Sequence, residues 1–353
     1  MKKSILKILL CYEKVGVRTI QAFLIFCILI RLVSAIKTAE YVDTRYFIET
    51  SKLILQGISP YHPETNPTKY IYPAQAPSMS LICMPLCIFP DIVQNLFFFF
   101  AGTIAFIVFT ALVFNYFGFS IKKHISARWS NLPIWLTFTM ICISSPFLMM
   151  LRHGQNSSLA ALCLFIVLFY PSRDKGIINI IMLGLAAALK YSLMTMEVPI
   201  LVMQRRWRIS ILGFLLFVVL VLSVGLWLDG IVPAFREYVQ LLLSDAQHGA
   251  NSYANVNSFA FVHIGFFKSK IVNMLLQIIM IIMYFSVICG IWWNRRALGT
   301  KCFDALTAAE WALFTTMTLL ISYHREYDGV LFMPFLGVVF LESIYNKEHF
   351  LKI

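Results

Sequence analysis

The stretch SYHREYD, residues 322–328, places an imidazole, a guanidinium and two carboxylates between two apolar segments. His324 and Asp328 stand four residues apart, which is the spacing of neighbours on one face of a helix. In a helix, the Asp328 carboxylate would raise the proton affinity of His324 and keep its ring cationic. A cationic imidazole beside Arg325 suits the binding of a phosphate or diphosphate. The alternative is a cluster of salt bridges that neutralise one another.

An aspartate, Asp43, follows the first apolar segment, in the stretch AEYVDTRYFIETSKLILQGISPYHP, residues 39–63. The pattern predicts a helix that is ended by Gly57 and Pro60. A carboxylate held just above a membrane can act as general base on a hydroxyl if it comes within hydrogen-bond reach. Pairing with Arg45 or with a backbone group is the alternative for this side chain.

The stretch LRHGQNSSL, residues 151–159, closes one apolar segment and opens the next. An amide or hydroxyl side chain here can cap the following helix. The remaining polar side chains would then lie at a helix N-terminus, where the dipole and unpaired N–H groups favour anions. Capping alone is the alternative. The predicted ligands in this stretch are Arg152, His153, Gln155 and Asn156.

Lys190 interrupts two apolar segments in AAALKYSLM. An ionisable side chain within a membrane segment indicates a functional site by default, so Lys190 is predicted to bind phosphate. The alternative is that its ammonium group reaches the membrane surface along its flexible stem.

The elements that must position these residues are membrane helices. The chain is 59% hydrophobic and 13% charged, with a mean hydropathy of +0.78, whereas soluble chains carry roughly 25% charge. Apolar runs of about 18 residues or more are typical of membrane-spanning helices. We therefore predict an all-α integral membrane protein with about ten spans in a single domain, residues 1–353. The predicted spans are 20–36, 92–117, 132–151, 157–170, 177–190, 191–204, 209–228, 271–293, 305–321 and 329–345.

The basic residues predict the orientation of these spans. The net charge of +12 comes from short clusters between apolar runs, which indicates topology and not a nucleic-acid partner. With both termini in the cytoplasm, 18 of the 29 Lys and Arg fall on the inner side. The long outer loops are then 37–91 and 229–270, and residues 76–90 form a helix in the outer interface. The first span is predicted to be an uncleaved anchor, although VSA, residues 33–35, resembles a signal-peptide cleavage site.

Several stretches together resemble glycosyltransferase family 87. In chain order they are VDTRYFIETSKLILQGISPY, YIYPAQAPSMSLICMPLCIFP, HGQNSSL, AAALKYSLMTMEVPILVMQRRW, NVNSF and SYHREYDGVLFMPFL. This series extends roughly over residues 40–335. The chain departs from the family pattern at Ala74, in place of the second proline of Tyr-Pro-Pro, and at Tyr191, where proline often follows the lysine.

That family is of the GT-C type, whose multi-spanning transferases take sugar from a polyprenyl-phosphate donor at the extracytoplasmic face. The resemblance implies inverting transfer of a hexose, with mannose the leading candidate, to an acceptor hydroxyl. It implies that Asp43 is the catalytic base and that His324 helps to hold the donor phosphate. Charge and placement add Arg325, Lys190 and Arg152 to the phosphate site. The predicted substrate-binding residues are His153, Gln155, Asn156, Tyr72 and Asn257.

The expected partners are the lipid-linked sugar donor, a glycan or glycolipid acceptor and membrane lipid, without nucleic acid. No cofactor and no metal site are predicted, and dependence on a divalent metal stays open. The expected location is a bacterial inner (cytoplasmic) membrane.

Two other functions would make different use of these residues. A lipid-linked glycan polymerase or ligase would centre on the loop 229–270, with Arg236, His248 and His263, and would not need Asp43. A lipid or sugar transporter would have charges near the midplane and inverted repeats. Here the charges gather towards one face, and the sequence contains no evident repeat.

Overall fold

The computed structural model describes residues 2–62, 77–119, 129–169, 176–190, 193, 201, 204, 206–248, 270–297, 306–321 and 326–345. This part of the chain consists of helices and short connections and contains no strand, so the all-α prediction is confirmed for it. The α-helices are α1 (Lys2–Lys37), α2 (Val42–Leu55), α3 (Pro77–Cys83), α4 (Asp91–Tyr116), α5 (Leu132–Cys142), α6 (Ser145–His153), α7 (Ser157–Phe169), α8 (Gly176–Leu189), α9 (Trp207–Ser223), α10 (Ile231–His248), α11 (Lys270–Ala297), α12 (Ala308–Ile321) and α13 (Met333–Tyr345). The 3-10 turns are Met84–Ile88, Trp129–Asn131, Val224–Leu226 and Glu326–Leu331.

Five helical segments in the described residues are long and apolar enough to cross a membrane. They are Cys11–Lys37, Asp91–Tyr116, Trp129–His153, Trp207–Leu226 and Met274–Trp293. Each of them overlaps a predicted span, but the prediction of about ten spans is not confirmed. The predicted spans at 157–170, 177–190, 305–321 and 329–345 form helices of 13 or 14 residues, shorter than the roughly 20 residues that a bilayer requires. The predicted span 191–204 lies almost entirely outside the described residues.

Two of the long segments differ in detail from their predicted bounds. Helix α1 begins at Lys2 and not near residue 20, so the basic leader continues the first span as one helix of 36 residues. The third segment is interrupted at Ile143 and Ser144, between α5 and α6. Pro146 explains this break, because proline has no N–H to donate and fits the first turn of a new helix.

Aromatic side chains join four helices into the core. Phe109 of α4 stacks on Phe165 of α7 with ring centroids 4.9 Å apart. Phe335 of α13 contacts Phe165 at 5.2 Å and stacks on Trp311 of α12 at 5.7 Å. Such pairs contribute about 0.5–1.5 kcal/mol each beyond the area they bury. The abundance of phenylalanine in the sequence therefore serves helix packing as well as contact with lipid.

Helices α8 and α9 pack closely through two glycines. A Cβ atom at Gly184 of α8 would lie 2.6 Å from the Cδ2 atom of Leu216. A Cβ atom at Gly213 of α9 would lie 2.7 Å from the Cδ2 atom of Leu183. Each glycine thus receives a leucine from the other helix, and small residues at the contact are a common means of association between membrane helices.

The predicted helix after the first span is present as α2, and it packs against α3 and α4. Phe47 of α2 contacts Phe98 of α4 with centroids 5.7 Å apart. The Ser51 hydroxyl donates to the Ser80 carbonyl of α3 over 2.8 Å. Gly57 follows the helix with φ +73°, the left-handed conformation that glycine adopts without strain. The predicted end of this helix is therefore confirmed, and α2 has a fixed seat beside two helices.

Candidate functional site

The candidate site is built around the loop Gly154–Asn156 between α6 and α7. Gly154 has φ +69°, and its N–H and that of Gln155 donate to Leu151 and Met150 carbonyls, which closes the end of α6. A Cβ atom at Gly154 would overlap the Thr44 hydroxyl. The loop therefore requires glycine both for its backbone conformation and for the close approach of α2.

The start of α2 is attached to this loop. The backbone N–H groups of Glu40 and Tyr41 donate to the Arg152 carbonyl over 3.1 and 2.9 Å. The Thr44 hydroxyl donates to the Gly154 carbonyl over 3.2 Å. These bonds place the first turn of α2, which contains Asp43, directly beside the loop.

The Asp43 carboxylate is half-buried in that first turn. The N-terminal end of a helix interacts favourably with a negative charge. Tyr41, which precedes the helix with φ 49°, lies against Gly154. Burial raises the pKa of Tyr41, so its hydroxyl is neutral at pH 7 and can donate a hydrogen bond.

The other side of the loop binds the turn Glu326–Leu331. The Ser157 hydroxyl, at the first residue of α7, donates to Asp328 Oδ1 over 2.6 Å. Lys190 Nζ lies 2.5 Å from the same oxygen and 3.1 Å from the Ser157 oxygen. The Lys190 and Asp328 side chains are only 14% and 2% exposed, so this is a buried ion pair. The N-terminus of α7, predicted to attract an anion, receives the chain's own carboxylate.

The interruption at Lys190 is supported by side chains from two other elements. Helix α8 ends at Leu189, and its last carbonyl groups would lack helical partners. The Asn156 amide donates to the Leu189 carbonyl over 2.8 Å, and the Ser78 hydroxyl donates to the Ala188 carbonyl over 3.2 Å. The predicted end of a helix just before Lys190 is thus confirmed. Asn156, which precedes α7, also caps the end of α8.

An apolar groove of about 750 Å³ lies between α5 and α13. Leu136 and Met140 line one wall, and Leu336 and Phe340 line the other. At one end, the lining includes Ser144, which precedes α6, and Met333, which follows the turn containing Asp328. The groove therefore extends along the two helices to the vicinity of the buried ion pair.

The structure brings together six of the predicted site residues around the loop: Asp43, Arg152, His153, Gln155, Asn156 and Lys190. Gln155 and Asn156 are buried, whereas Arg152 and His153 are half-buried in the last turn of α6. The other four predicted residues lie outside the described residues: Tyr72, Asn257, His324 and Arg325. No metal-binding group of three or more His, Cys, Asp or Glu occurs among the residues that the structure describes.

Sequence reasoning missed Ser157 and Thr44 as site residues, and it missed the contact of Asp328 with Lys190. The spacing of four residues suggested that Asp328 would act on His324, which lies outside the described residues, so that contact stays a prediction. Among the described residues, Asp328 is bound by Lys190 and Ser157. The Lys190–Asp328 pair joins residues 138 positions apart, and no local pattern predicts such a contact. The signal that was available is chemical, because a lone lysine in an apolar segment needs a partner of opposite charge.

Residues 70–322 match glycosyltransferase family 87, which is most of the chain. The chain belongs to this family. The suspected resemblance is therefore confirmed, and this family 87 protein is a membrane glycosyltransferase. No curated protein and no solved structure matches it significantly. The matched range includes the loop Gly154–Asn156 and Lys190, whereas Asp43 lies 27 residues before it and Asp328 lies 6 residues after it.

Proposed function

We propose that this family 87 protein transfers a hexose, with mannose the leading candidate, from a polyprenyl-phosphate donor to an acceptor hydroxyl. The acceptor belongs to a glycan or glycolipid, and the reaction takes place at the extracytoplasmic face of a bacterial inner membrane, with both termini in the cytoplasm. Asp43 is the general base. The family supplies the reaction class, and the arrangement around the loop supports the assignment of residues.

One observation carries the assignment of Asp43. Thr44, its neighbour, contacts Gly154, and Asp328 contacts Ser157, three residues further along the chain at the start of α7. Three residues extend over at most about 11 Å. The first turn of α2, which contains Asp43, and the turn Glu326–Leu331, which follows His324 in the sequence, are therefore attached to positions close together in the chain. This separation suits the binding of one sugar and one phosphate between them.

The reaction proceeds by direct displacement at the anomeric carbon. The acceptor oxygen attacks this carbon as Asp43 removes its proton, and the bond from the carbon to the phosphate oxygen breaks. The leaving group is polyprenyl phosphate, whose increased negative charge is stabilised by His324, Arg325 and Arg152. Lys190, also predicted for this role, has its charge balanced by Asp328, so it holds the turn Glu326–Leu331 beside α7. Inversion follows because attack and departure occur on opposite sides of the carbon.

The lipid tail of the donor is proposed to lie in the groove between α5 and α13. Its lining is apolar, with Met140 and Phe340 exposed in it, and it ends near the turn that contains Asp328. A tail held there would leave the phosphate at the end of the groove that is nearer the site.

The test compares two acidic residues on α2. Asp43→Asn keeps the shape of the side chain but removes its basicity, and Glu49→Gln makes the same change at an exposed position of the same helix. Each variant is produced in a strain that lacks the gene, and lipid-linked glycans are measured by mass spectrometry at matched protein levels. We expect Asp43→Asn to reduce product about 10²–10⁴-fold and Glu49→Gln to leave it unchanged. Wild-type product from both Asp43→Asn and Asp43→Ala would exclude Asp43 as the base.

A further inference from the structure

Helix α10 leaves the end of the α9 segment in a tight turn. Gly225 lies so close to the backbone of Ile231 that no side chain could be accommodated at its position. The apolar segment Trp207–Leu226 thus ends where α10 folds back against it, and α10 does not simply continue α9.

One side of α10 is packed against the segment that follows α2. Tyr238 contacts Tyr61 edge to face with ring centroids 5.4 Å apart, and both rings are buried. The Ser59 hydroxyl hydrogen-bonds to the Glu237 carboxylate. Ala234 is buried on the same side, so this side of α10 packs against the protein itself.

A different side of the same helix exposes large apolar side chains. Val232 is 67% exposed and Phe235 is 47% exposed. At the junction with α9, Leu226 is 75% exposed and Trp227 is 51% exposed. Together with Ile231 these residues form a continuous surface, which we call the α10 apolar face.

The chemistry of this surface and its position indicate what covers it. It directly continues the exposed apolar surface of α9, where Ile211, Leu215 and Val219 face away from the protein. A tryptophan at the end of a membrane-spanning segment is typical of the boundary between acyl chains and headgroups. The exposed residues Arg236 and Gln240 lie beside the apolar face on the same helix, and a helix with one apolar and one polar side is typical of the membrane interface.

We propose that α10 lies in the membrane interface, with the α10 apolar face inserted among the lipid acyl chains of the leaflet in which α9 ends. Arg236 and Gln240 then lie at the headgroups or in water. This inference concerns lipid contact and is independent of the proposed sugar transfer.

Helix α10 is also connected to α2, which forms part of the candidate site. Ile54, near the end of α2, packs with Tyr61 and Tyr238 in one buried cluster, to which Val224 also belongs. Tyr61 thus connects α10 to the helix that contains Asp43.

The test measures the depth of four positions on α10 in the full-length protein in lipid nanodiscs. Val232, Phe235, Arg236 and Gln240 are replaced one at a time by p-acetylphenylalanine, which accepts a ketoxime spin label without removal of the native cysteines. Collision of each label with oxygen, which concentrates in lipid, is compared with collision with nickel ethylenediamine diacetate, which stays in water. Each labelled variant is first matched to wild type in its elution volume and thermal melting. All four sites are exposed, so either pair 232/236 or 235/240 suffices if one variant misfolds.

We expect oxygen collisions to dominate at 232 and 235 and nickel collisions to dominate at 236 and 240. Three results would overturn the proposal. Nickel dominance at all four positions would place α10 in water. Low collision with both reagents at 232 and 235 would mean that another part of the chain covers the face. Line broadening at these sites that disappears on dilution with unlabelled protein would assign the face to a second copy.

Discussion

Loss of one partner of the Lys190–Asp328 ion pair should destabilise the protein far more than loss of both. The two side chains are 14% and 2% exposed, so whichever charge remains is largely shielded from water. Removal of one partner from a buried pair typically costs about 3–5 kcal/mol, whereas replacement of both by apolar groups is often close to neutral. Ser157 hydrogen-bonds to both groups but supplies no charge to either.

These magnitudes define a double-mutant cycle. Lys190→Met and Asp328→Leu should each cost about 3–5 kcal/mol, and the double variant about 0–2 kcal/mol. The coupling energy is then at least about 4 kcal/mol, well above the few tenths of a kcal/mol that independent sites show. The measurement is the free energy of unfolding in mixed micelles of dodecyl maltoside and dodecyl sulfate.

The control is Lys52→Met, which removes an exposed lysine from α2 and should change stability by no more than about 0.5 kcal/mol. Additive effects below about 1 kcal/mol for the two single variants would refute the reasoning, because they would mean that water screens the pair.

Two other changes have definite expected results. Gly154→Ala should destabilise the protein by at least about 1–2 kcal/mol, because it forces a left-handed conformation on alanine and its Cβ atom overlaps the Thr44 hydroxyl. The control is Gly290→Ala, at a position where nothing lies within 4 Å, and it should be neutral or stabilising in the same unfolding assay. The Tyr61→Phe variant should lose less stability than the wild type as the pH rises above about 10. Burial is the largest cause that raises the pKa of Tyr61 well above 10.0 in the folded protein, so the unfolded chain releases this proton first. The stabilisation is complete below about pH 10 and is lost as the pH rises beyond it, which thermal melts between pH 8 and 11 would detect.

The two outcomes that contradict these predictions are specific. Equal stability of Gly154→Ala and Gly290→Ala would mean that the loop can relax away from α2. Identical alkaline profiles for wild type and Tyr61→Phe would mean that the Tyr61 ring is accessible to water in the folded state.

Local patterns predicted the elements of the site well. Helix α2 and its end at Gly57 follow from an amphipathic stretch followed by glycine and proline, because both effects act within a few residues. The break at Lys190 follows from one charge within an apolar run. The missed break before Pro146 was also readable from the local sequence, but hydropathy alone concealed it since both halves are apolar.

The contacts between elements could not be predicted in the same way. The pairing of Asp328 with Lys190 joins two distant parts of the chain, and it forms only when the helices are assembled. The hydrogen bond from Thr44 to Gly154 likewise depends on how α2 approaches α6, for which a single sequence contains no periodic signal.

The attachment of α2 to the loop relies on main-chain atoms at three of its positions. Glu40 and Tyr41 contribute N–H groups and Arg152 contributes its carbonyl, so these hydrogen bonds do not depend on the side chains at the three positions. A randomised library at residue 40, whose side chain is exposed, would therefore vary the charge and size of the surface beside Asp43 while α2 keeps its place. The surface beside the start of α2 can thus change in sequence without any change in how the helix is attached.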